Sequence, residues 1–353
     1  MAGKDTFARK VLVATSIIVL VVSATLILIY ARTFFLLLFG GMLLGVFLRA
    51  IASWLSRKIK FLPTGLSLAF VILFLIGLIT LSIILIAPTV GEQFQAIRDA
   101  VPESIAQVER WLRGFEFGQQ VLEQLRGAFD ELAVEQEQIA EAAGILSSTL
   151  GVLADILIIF VIGIFFAADP YLYRDGIVSL FPPSQRQRLN EVIHTSYRFL
   201  SLWLLGKFFT MAVVGILSGI GLAIMGVPMA IGLAFIAFLL DFIPNIGPII
   251  SAIPAMLIAF LVSPAHALYV ALLFFVVQSI ESYIFVPLIY KKTVSISPVM
   301  TLMSIVFFGI ITGLLGIILA TPIVVVFKVL IDELYIKDYL QGGGKKNLMV
   351  TEV

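Results

Sequence analysis

The residues of this chain that could do chemistry are polar side chains that interrupt long apolar stretches. Asp241 and Asn245 lie in the sequence DFIPNIGP, and Gln278 and Glu281 lie in the apolar stretch that follows. An ionisable side chain at membrane depth costs at least ~2.5 kcal/mol, so it usually marks the pathway of an ion or a polar solute. These side chains therefore predict a polar binding site inside a membrane.

A proline-glycine break lies at DFIPNIGP, within an apolar region from 227 to 262 that is too long for one simple span. Proline lacks a backbone donor and clashes with the preceding turn, so a continuous helix cannot pass through this sequence. The carbonyl groups from Phe242 to Gly247 then need partners that lipid cannot supply. We predict that the break faces protein or a water-filled cavity.

A second apolar stretch, from 299 to 329, is interrupted by GIITGLLG and then carries Thr321-Pro322. In transporters, paired interrupted segments point to a substrate site, because free helix ends present donors and carbonyls to a ligand at the midplane. The predicted pathway for a substrate or ion comprises Lys207, Asp241, Pro244, Asn245, Gly247, Pro248, Gln278, Glu281, Thr312 and Thr321.

Three of these side chains also have purely structural explanations. Asp241 could cap the broken helix or pair with Lys207. Lys207 could reach the lipid headgroups from the inner end of its span. Glu281 could lie close enough to the interface to be solvated. The sequence leaves these alternatives open.

The composition requires lipid as the solvent for most of the chain. Of the 353 residues, 61% are hydrophobic and 13% are charged, and the mean hydropathy is +1.12. The apolar runs are long and lack the two-residue alternation of membrane strands, so helices are the expected spanning elements. We predict an all-α polytopic membrane protein with about eight hydrophobic segments, two of them broken or re-entrant, and an extracytoplasmic helical segment.

Charge and hydropathy divide the chain into four parts. The acidic, amphipathic second part is expected to be a helical cap outside the membrane that packs on itself or on a neighbouring subunit. Basic residues before the first span and between the second and third place the amino terminus in the cytoplasm. The predicted parts are the first three transmembrane helices (1–88), the extracytoplasmic segment (89–144), the transport core (145–340, broken at 227–262 and 299–329) and a disordered tail (341–353).

The two broken segments allow two topologies. If both are full spans, Lys291 and Lys292 lie outside, against the positive-inside rule. If each is a re-entrant hairpin that enters and leaves on one side, these lysines lie in the cytoplasm with Lys328 and Lys337. Each half-segment has about sixteen residues or fewer, against the ~20 of a perpendicular span. This shortness favours the hairpins.

Several function classes lack their sequence signatures. The chain has no cysteine, which excludes disulfides and cysteine nucleophiles. It also has no Gly-x-Ser-x-Gly, no His-Glu-x-x-His and no Gly-x-x-x-x-Gly-Lys-Ser/Thr sequence. We therefore expect a protein that is not an enzyme, that uses no cofactor or metal and binds no nucleic acid, and whose partners are membrane lipid and a small-molecule or ion substrate.

Three stretches carry a family resemblance: DFIPNIGPIISAIPAM, QSIESYIFVPLIYKKTVSISPVM and GLLGIILATPIVVVF. Together with RDGIVSLFPPSQRQRLNEV upstream, they resemble the autoinducer-2 exporter family, also called PerM-like permeases. The resemblance is strong from about Asp169 to Phe327 and extends in hydropathy over the preceding part. The chain departs from the family at Gly206-Lys207, where the family commonly has glycine followed by glutamine.

The resemblance implies a multi-pass transporter of the bacterial inner membrane, often assembled as a homo-oligomer. Members of the family are linked to export of a quorum-sensing furanone or to sodium/proton exchange. Two hypotheses follow. The first is an exporter of a small polar organic solute, with a midplane site at the broken helices. The second is a sodium/proton antiporter that uses Asp241 and Glu281, which would need acids able to shed water as access alternates.

Overall fold

The structure, a computed structural model, describes residues 12, 15–17, 19–23, 26, 30–59, 63–85, 87–114, 149–290 and 296–341. Throughout this part the regular structure is helical, and it contains no strand. The all-α prediction is therefore confirmed. Residues 115–148, Lys291, Lys292 and the tail after Gln341 lie outside the described residues.

The helices follow one another with short connections. A π-helical segment, Glu281–Phe285, joins the helix that ends at Ile280 to the one that begins at Val286, and another, Ile331–Gln341, extends the helix that ends at Leu330. The helices of the described part are α1 (Arg32–Lys58), α2 (Thr64–Leu85), α3 (Ala87–Leu112), α4 (Thr149–Ala168), α5 (Pro170–Ser179), α6 (Pro183–Ile224), α7 (Ala230–Leu240), α8 (Ile246–Val262), α9 (Pro264–Ile280), α10 (Val286–Tyr290) and α11 (Pro298–Leu330).

Several of these helices are long and apolar enough to cross a membrane. Among the described residues they are α1, α6, the combined helix Pro264–Leu288 and the combined helix Pro298–Gln341, and the pair of α4 and α5, bent by 83°, gives a fifth candidate. Large apolar side chains such as Phe275 and Ile310 are exposed on their outer faces. A surface of this kind suits lipid, which confirms the prediction of a polytopic helical membrane protein.

Helices α1 and α4 form a closely packed scaffold pair. A Cβ atom placed on Gly45 would lie 2.7 Å from Cβ of Phe166 and 2.9 Å from the carbonyl oxygen of Gly163. Small residues allow helix backbones to approach in this way in membranes. The ring of Phe47 on α1 stacks on that of Phe208, with the centroids 4.4 Å apart, and so joins this pair to α6.

Helix α6 extends without interruption over 42 residues. Its polar first part, which includes Arg186 and Arg188, continues directly into the apolar part that carries Lys207. At 1.5 Å per residue, Lys207 lies roughly 36 Å from the start of the helix. Lys207 therefore lies near the middle of this continuous helix.

Helices α7 and α8 form the first helical hairpin. Helix α7 runs antiparallel to the second half of α6, because a Cβ atom on Gly215 would lie 2.8 Å from Cβ of Phe238 and one on Gly219 would lie 2.9 Å from Cβ of Ala234. Helix α8 then returns, so that Ile258 shares a buried cluster with Leu222 near the end of α6. The hairpin opens at the carboxyl-terminal end of α6, and its tip is the 241–245 break.

Helix α11 contains the second hairpin. Gly313 has φ +65° and ψ −145°, a conformation that L-residues avoid, and the helix direction reverses there. A Cβ atom on Gly309 would lie 3.0 Å from Cγ1 of Ile317, and one on Gly316 would lie 2.9 Å from the carbonyl carbon of Phe308. Residues eight apart in a straight helix are about 12 Å apart, so the two arms must lie side by side.

The two hairpins point in opposite directions relative to α6. The tip of the second hairpin lies at the start of α1, where Arg32 donates a hydrogen bond to the carbonyl of Ile311 (2.6 Å). Its open end lies at the start of α6, where Arg188 contacts Glu333 (2.9 Å). The first hairpin opens at the other end of α6. Because the hairpins point in opposite directions, the tip of the first can contact the open end of the second but not its tip.

Helix α3, the described part of the acidic segment, packs on the first hairpin. The side chain of Gln93 accepts a 2.7 Å hydrogen bond from the backbone N–H of Gly232, and the ring of Trp111 lies 5.8 Å from that of Phe260. The sequence suggested a cap that packs on itself or on a neighbouring subunit. The described part packs on the hairpin of the same chain, and the rest of the predicted cap lies outside the described residues.

Candidate functional site

A cavity of about 380 Å³ lies where the tip of the first hairpin meets α6 and α9. Its wall combines three charged side chains with hydroxyl, amide and apolar groups. The lining residues are Trp203, Lys207, Thr210, Asp241, Pro244, Asn245, Gln278, Glu281, Ser282, Val286, Ile296, Pro298 and Thr301. Ligand pockets in proteins have similar volumes and a similar mixture of groups.

Lys207 lies between two carboxylates in this cavity. Its Nζ is 3.0 Å from Oδ2 of Asp241 and 3.3 Å from Oε1 of Glu281. Lys207 is buried, with 9% of its surface exposed, so its side chain does not reach headgroups. The structure therefore does not support that explanation, because the ammonium group is directed to two acids inside the protein.

Asp241 lies directly after α7, at the tip of the first hairpin, and is fully buried. Its Oδ2 accepts the hydrogen bond from Lys207, whereas its Oδ1 has no hydrogen-bond partner among the described residues. The pairing with Lys207 that the sequence allowed is therefore present. A buried carboxylate oxygen without a partner is costly, so this atom is a place where a donor group of a ligand could bind.

Glu281 is also buried, with 5% of its surface exposed, so the alternative of a solvated interfacial glutamate is wrong. Gln278 donates a 3.0 Å hydrogen bond to its Oε2, while Lys207 contacts its Oε1. The π-helical segment begins at Glu281. Pro287, which lacks an N–H, follows six residues later and accounts for the irregular helix here. Single π-turns of this kind are frequent at functional sites.

Some of the backbone N–H and carbonyl groups at the first break form hydrogen bonds with one another. The N–H of Ile243 donates to the carbonyl of Leu240 (3.0 Å), and that of Gly247 donates to the carbonyl of Ile243 (3.0 Å). A Cβ atom on Gly247 would lie 2.5 Å from the carbonyl carbon of Leu240, so only glycine fits. Asn245 has φ +66° and ψ −42°, and the N–H of Ile246 donates to the carbonyl of Pro244 (2.8 Å), which is the geometry of a tight γ-turn.

The predicted site residues separate into two groups. Lys207, Asp241, Pro244, Asn245, Gln278 and Glu281 line the cavity, and buried Gly247 and Pro248 shape the hairpin tip beside it. Thr312 and Thr321 do not line the cavity. Thr312 lies at the tip of the second hairpin and donates to the carbonyl of Phe308, and Thr321 is buried on the returning arm.

The expectation that both breaks form one site therefore needs correction. The second hairpin contributes Ile296, Pro298 and Thr301 from its open end, not residues from its break. The physical reason is that the two hairpins point in opposite directions, so the tip of the first lies beside the open end of the second.

Sequence reasoning missed several lining side chains. Trp203, Lys207 and Thr210 lie at positions i, i+4 and i+7 of α6, which is the spacing of one helix face. Gln278, Glu281 and Ser282 have the comparable spacing i, i+3 and i+4. A search along the helix face from each predicted residue would have found Thr210 and Ser282. No signal in the sequence connects Thr301 with this cavity.

The fold and the cavity define a polytopic helical membrane protein with a cavity lined by buried charged side chains at the tip of a helical hairpin. The chain belongs to the AI-2E family of transporters, because the model of that family matches residues 16–336. The class of function is transport, which is not an enzyme class. This membership places the protein in a lipid environment with a small substrate.

Three relatives bear the name Putative transport protein. YueF of Bacillus subtilis (strain 168) is 24% identical over 309 residues, which are 84% of this chain and 82% of YueF. YrrI of the same organism is 30% identical over 162 residues, which are 46% of each chain. MT0215 of Mycobacterium tuberculosis is 29% identical over 234 residues, which are 65% of this chain and 64% of MT0215. These names give the function as transport and specify no substrate.

Proposed function

We propose that this chain exports a small polar organic solute across the bacterial inner membrane through the cavity at Lys207, Asp241 and Glu281. The observation that carries the proposal is the buried ion-pair cluster at the tip of a helical hairpin. A buried ion pair contributes little net stability compared with apolar packing. Its position at a helix break within a membrane is therefore better explained by binding than by folding.

The other lining groups support a polar organic solute. The hydroxyl groups of Thr210, Ser282 and Thr301 and the amide of Asn245 offer hydrogen bonds around the charges. Trp203, together with Val286 and Ile296, supplies an apolar wall on which a carbon skeleton can pack. A hydroxyl group of the solute would give Oδ1 of Asp241 the donor that it lacks. The furanone implied by the family resemblance has this general chemistry.

Movement of the first hairpin is the proposed transport step. Asp241 lies on the hairpin tip, whereas Lys207 lies on α6 and Glu281 on the π-helical segment after α9, so a shift of the tip changes its distance from both. Separation of the ion pair would open the cavity, and its re-formation would close it. Alternating access by rocking of one helical unit against another is the usual behaviour of transporters with broken helices.

The sodium/proton antiporter is the second candidate, and the two buried carboxylates are the observation in its favour. Antiport requires that these carboxylates alternately hold a proton and a sodium ion. The ammonium group of Lys207, however, already lies between them at 3.0 and 3.3 Å. This geometry favours the organic solute.

We propose that the amino terminus is cytoplasmic. Arg57 and Lys58 end α1, and Arg186 and Arg188 begin α6. Arg49 of α1 and Val192 of α6 line one apolar cavity, so the basic end of α1 lies beside the basic start of α6. Basic residues are therefore concentrated where the end of α1 lies beside the start of α6, and by the positive-inside rule this supports a cytoplasmic location for that end of the protein. Assembly as a homo-oligomer stays a proposal that rests on the family resemblance.

Flux in proteoliposomes tests the function. Vesicles that contain the purified chain are loaded with labelled furanone, and its efflux is followed with and without sodium. A second set carries an imposed pH gradient and labelled sodium. We expect furanone efflux above that of protein-free vesicles and no sodium movement. Sodium flux that collapses the pH gradient would make the protein an antiporter, and the absence of both fluxes would reject both candidates.

A further inference from the structure

We propose that the ammonium group of Lys207 fills a latent site for a monovalent cation formed by Asp241 and Glu281, so that this chain needs no sodium. The link to transport rests on the proposed function. The occupation of the cation site rests on the geometry of the three side chains alone, and it can be tested without any transported solute.

The positions of the oxygen atoms resemble those of a cation site. Oδ2 of Asp241 and Oε1 of Glu281 come from two different elements and converge on one point, which Nζ of Lys207 occupies. Oδ1 of Asp241 is buried and has no partner among the described residues. The hydroxyl groups of Thr210 and Ser282 line the same cavity. Hard cations prefer such carboxylate and hydroxyl oxygens.

The carboxyl-terminal end of α7 also stabilises a positive charge at this site. Asp241 directly follows the last residue of this helix, where the partial negative charge of the helix dipole is greatest. In transporters with broken helices, the carboxyl ends of half-helices and nearby carbonyls are the groups that coordinate sodium. A positive charge is therefore stabilised here whether it is an ion or a lysine.

Lysine is suited to replace the ion. Its ammonium group is a compact point charge with donors in three directions, and two of these are used by the carboxylates. Without it, two buried carboxylates would face each other with no compensating charge, which is strongly unfavourable. A neutral residue at position 207 should therefore recruit a cation from solution.

The consequence for transport follows from the covalent bond that holds the charge. Lysine moves with α6 and cannot leave with the solute, so the charge that neutralises the carboxylates is never released on either side. Solute movement then has no sodium to couple to. Lys207 would in this way determine whether the transporter depends on sodium.

Thermal unfolding of the full chain in detergent tests the cation site. The unfolding temperature is compared in sodium chloride and in choline chloride at equal ionic strength. We expect no difference for the wild type or for Lys207→Arg. We expect Lys207→Gln to unfold at a temperature higher by about 2–4 °C or more in sodium, with saturation as sodium is raised. The double variant Lys207→Gln/Asp241→Asn should lose most of this effect.

Two results would overturn the proposal: sodium stabilisation of the wild type, or its absence in Lys207→Gln. If Lys207→Gln can be purified only in sodium, the proposal is supported. If it fails to fold in either salt, Lys207→Gln/Glu281→Gln takes its place. This variant keeps Asp241, whose unpartnered Oδ1 and position at the end of α7 make it the stronger of the two ligands, so no sodium effect in it would reject the site. Failure of the wild type to move any solute would reject the proposed function but leave this measurement unaffected.

Discussion

The side-chain nitrogen of Lys207 lies 3.0 Å from Oδ2 of Asp241, and this contact ties the middle of α6 to the tip of the first hairpin. Glu281 on the π-helical segment contacts the same nitrogen at 3.3 Å. Three separate elements therefore meet at one ammonium group. Any motion of the hairpin tip relative to α6 must stretch or break the contact with Asp241.

We predict that Asp241→Asn reduces solute flux about tenfold or more. Asparagine has nearly the same size, so the hairpin should still fold and the chain should still insert. It loses the charge that pairs with Lys207, and a hydrogen bond to a charged group is worth roughly 1.5–3 kcal/mol, or about tenfold and upwards. Flux in proteoliposomes, normalised to the amount of inserted protein, measures the effect.

Asp175→Asn is the matched control for this change. Asp175 forms an exposed pair with Arg174 at 2.7 Å and does not line the charged cavity. Its substitution should leave flux close to that of the wild type, because exposed pairs contribute little. Full wild-type flux by Asp241→Asn would remove Asp241 from the mechanism.

The hairpin tip also depends on Gly247. We predict that Gly247→Ala lowers the unfolding temperature by several degrees, because the added methyl group would lie 2.5 Å from the carbonyl carbon of Leu240. Overpacking of this kind costs about 1–3 kcal/mol. Gly65→Ala is the control, since nothing lies within 4 Å of a Cβ atom there. Equal unfolding temperatures for the two variants would contradict the tight turn described for the tip.

The charged residues of the site could be predicted because few ionisable side chains interrupt the long apolar stretches. Asp241 and Glu281 stand in stretches where an ionisable residue is expensive, and the prolines beside Asp241 require a helix break. The sequence allows two structural roles for Asp241, to cap the broken helix or to pair with Lys207. The pairing with Lys207 is present in the structure. The contact between Lys207 and Glu281 was not foreseen, because it depends on the packing of α6 against α9.

The second half of the site could not be predicted. The hairpin topology favoured by the sequence has one span between the two hairpins, so it already makes them open on opposite sides. It does not say how deep each tip lies or which residues of the second hairpin reach the tip of the first. Thr312 was therefore placed in the site by analogy between the two breaks, whereas Thr301 at the open end lines the cavity. Hydroxyl residues in apolar helices commonly bond their own backbone, as Thr301 does with Ser297, and carry little signal.

We predict that Arg188→Gln loosens the open end of the second hairpin. Arg188 contacts Glu333 (2.9 Å) and Asp338 (3.0 Å), and thereby joins the start of α6 to the segment that follows α11. Because Arg188 is one-third exposed, the contribution is reduced by solvent to roughly 1 kcal/mol, or a fall of about 2–4 °C in unfolding temperature. The effect should shrink as salt is raised, because salt screens exposed charges.

Arg174→Gln is the comparison for this substitution, since the ion pair of Arg174 in the described part of the chain is with its neighbour Asp175. Its unfolding temperature should change little at any salt concentration. If Arg188→Gln behaves in the same way, the cluster at Arg188 does not hold the second hairpin to α6.

The reversal at Gly313 predicts a specific cross-link. The natural chain has no cysteine, so an introduced pair is free of competing thiols. A Cβ atom on Gly309 lies 3.0 Å from Cγ1 of Ile317, which brings the two Cβ positions near the ~3.5–4.5 Å that a disulfide spans. We therefore expect Gly309→Cys/Ile317→Cys to form a disulfide within one chain after mild oxidation, seen as two blocked thiols on a protein of monomer size.

The pair Ile216→Cys/Ile224→Cys has the same spacing of eight residues but lies on the continuous helix α6, where both side chains are exposed. The two sulfur atoms should remain about 12 Å apart and stay reactive towards a thiol label. If α11 is a hairpin, the pair in α11 forms a disulfide and the pair in α6 does not. If α11 is straight, the thiols of both pairs stay free. Disulfide formation by the α6 pair within one chain would show instead that helix fraying produces the cross-link, and the assignment of the reversal at Gly313 would lose this support.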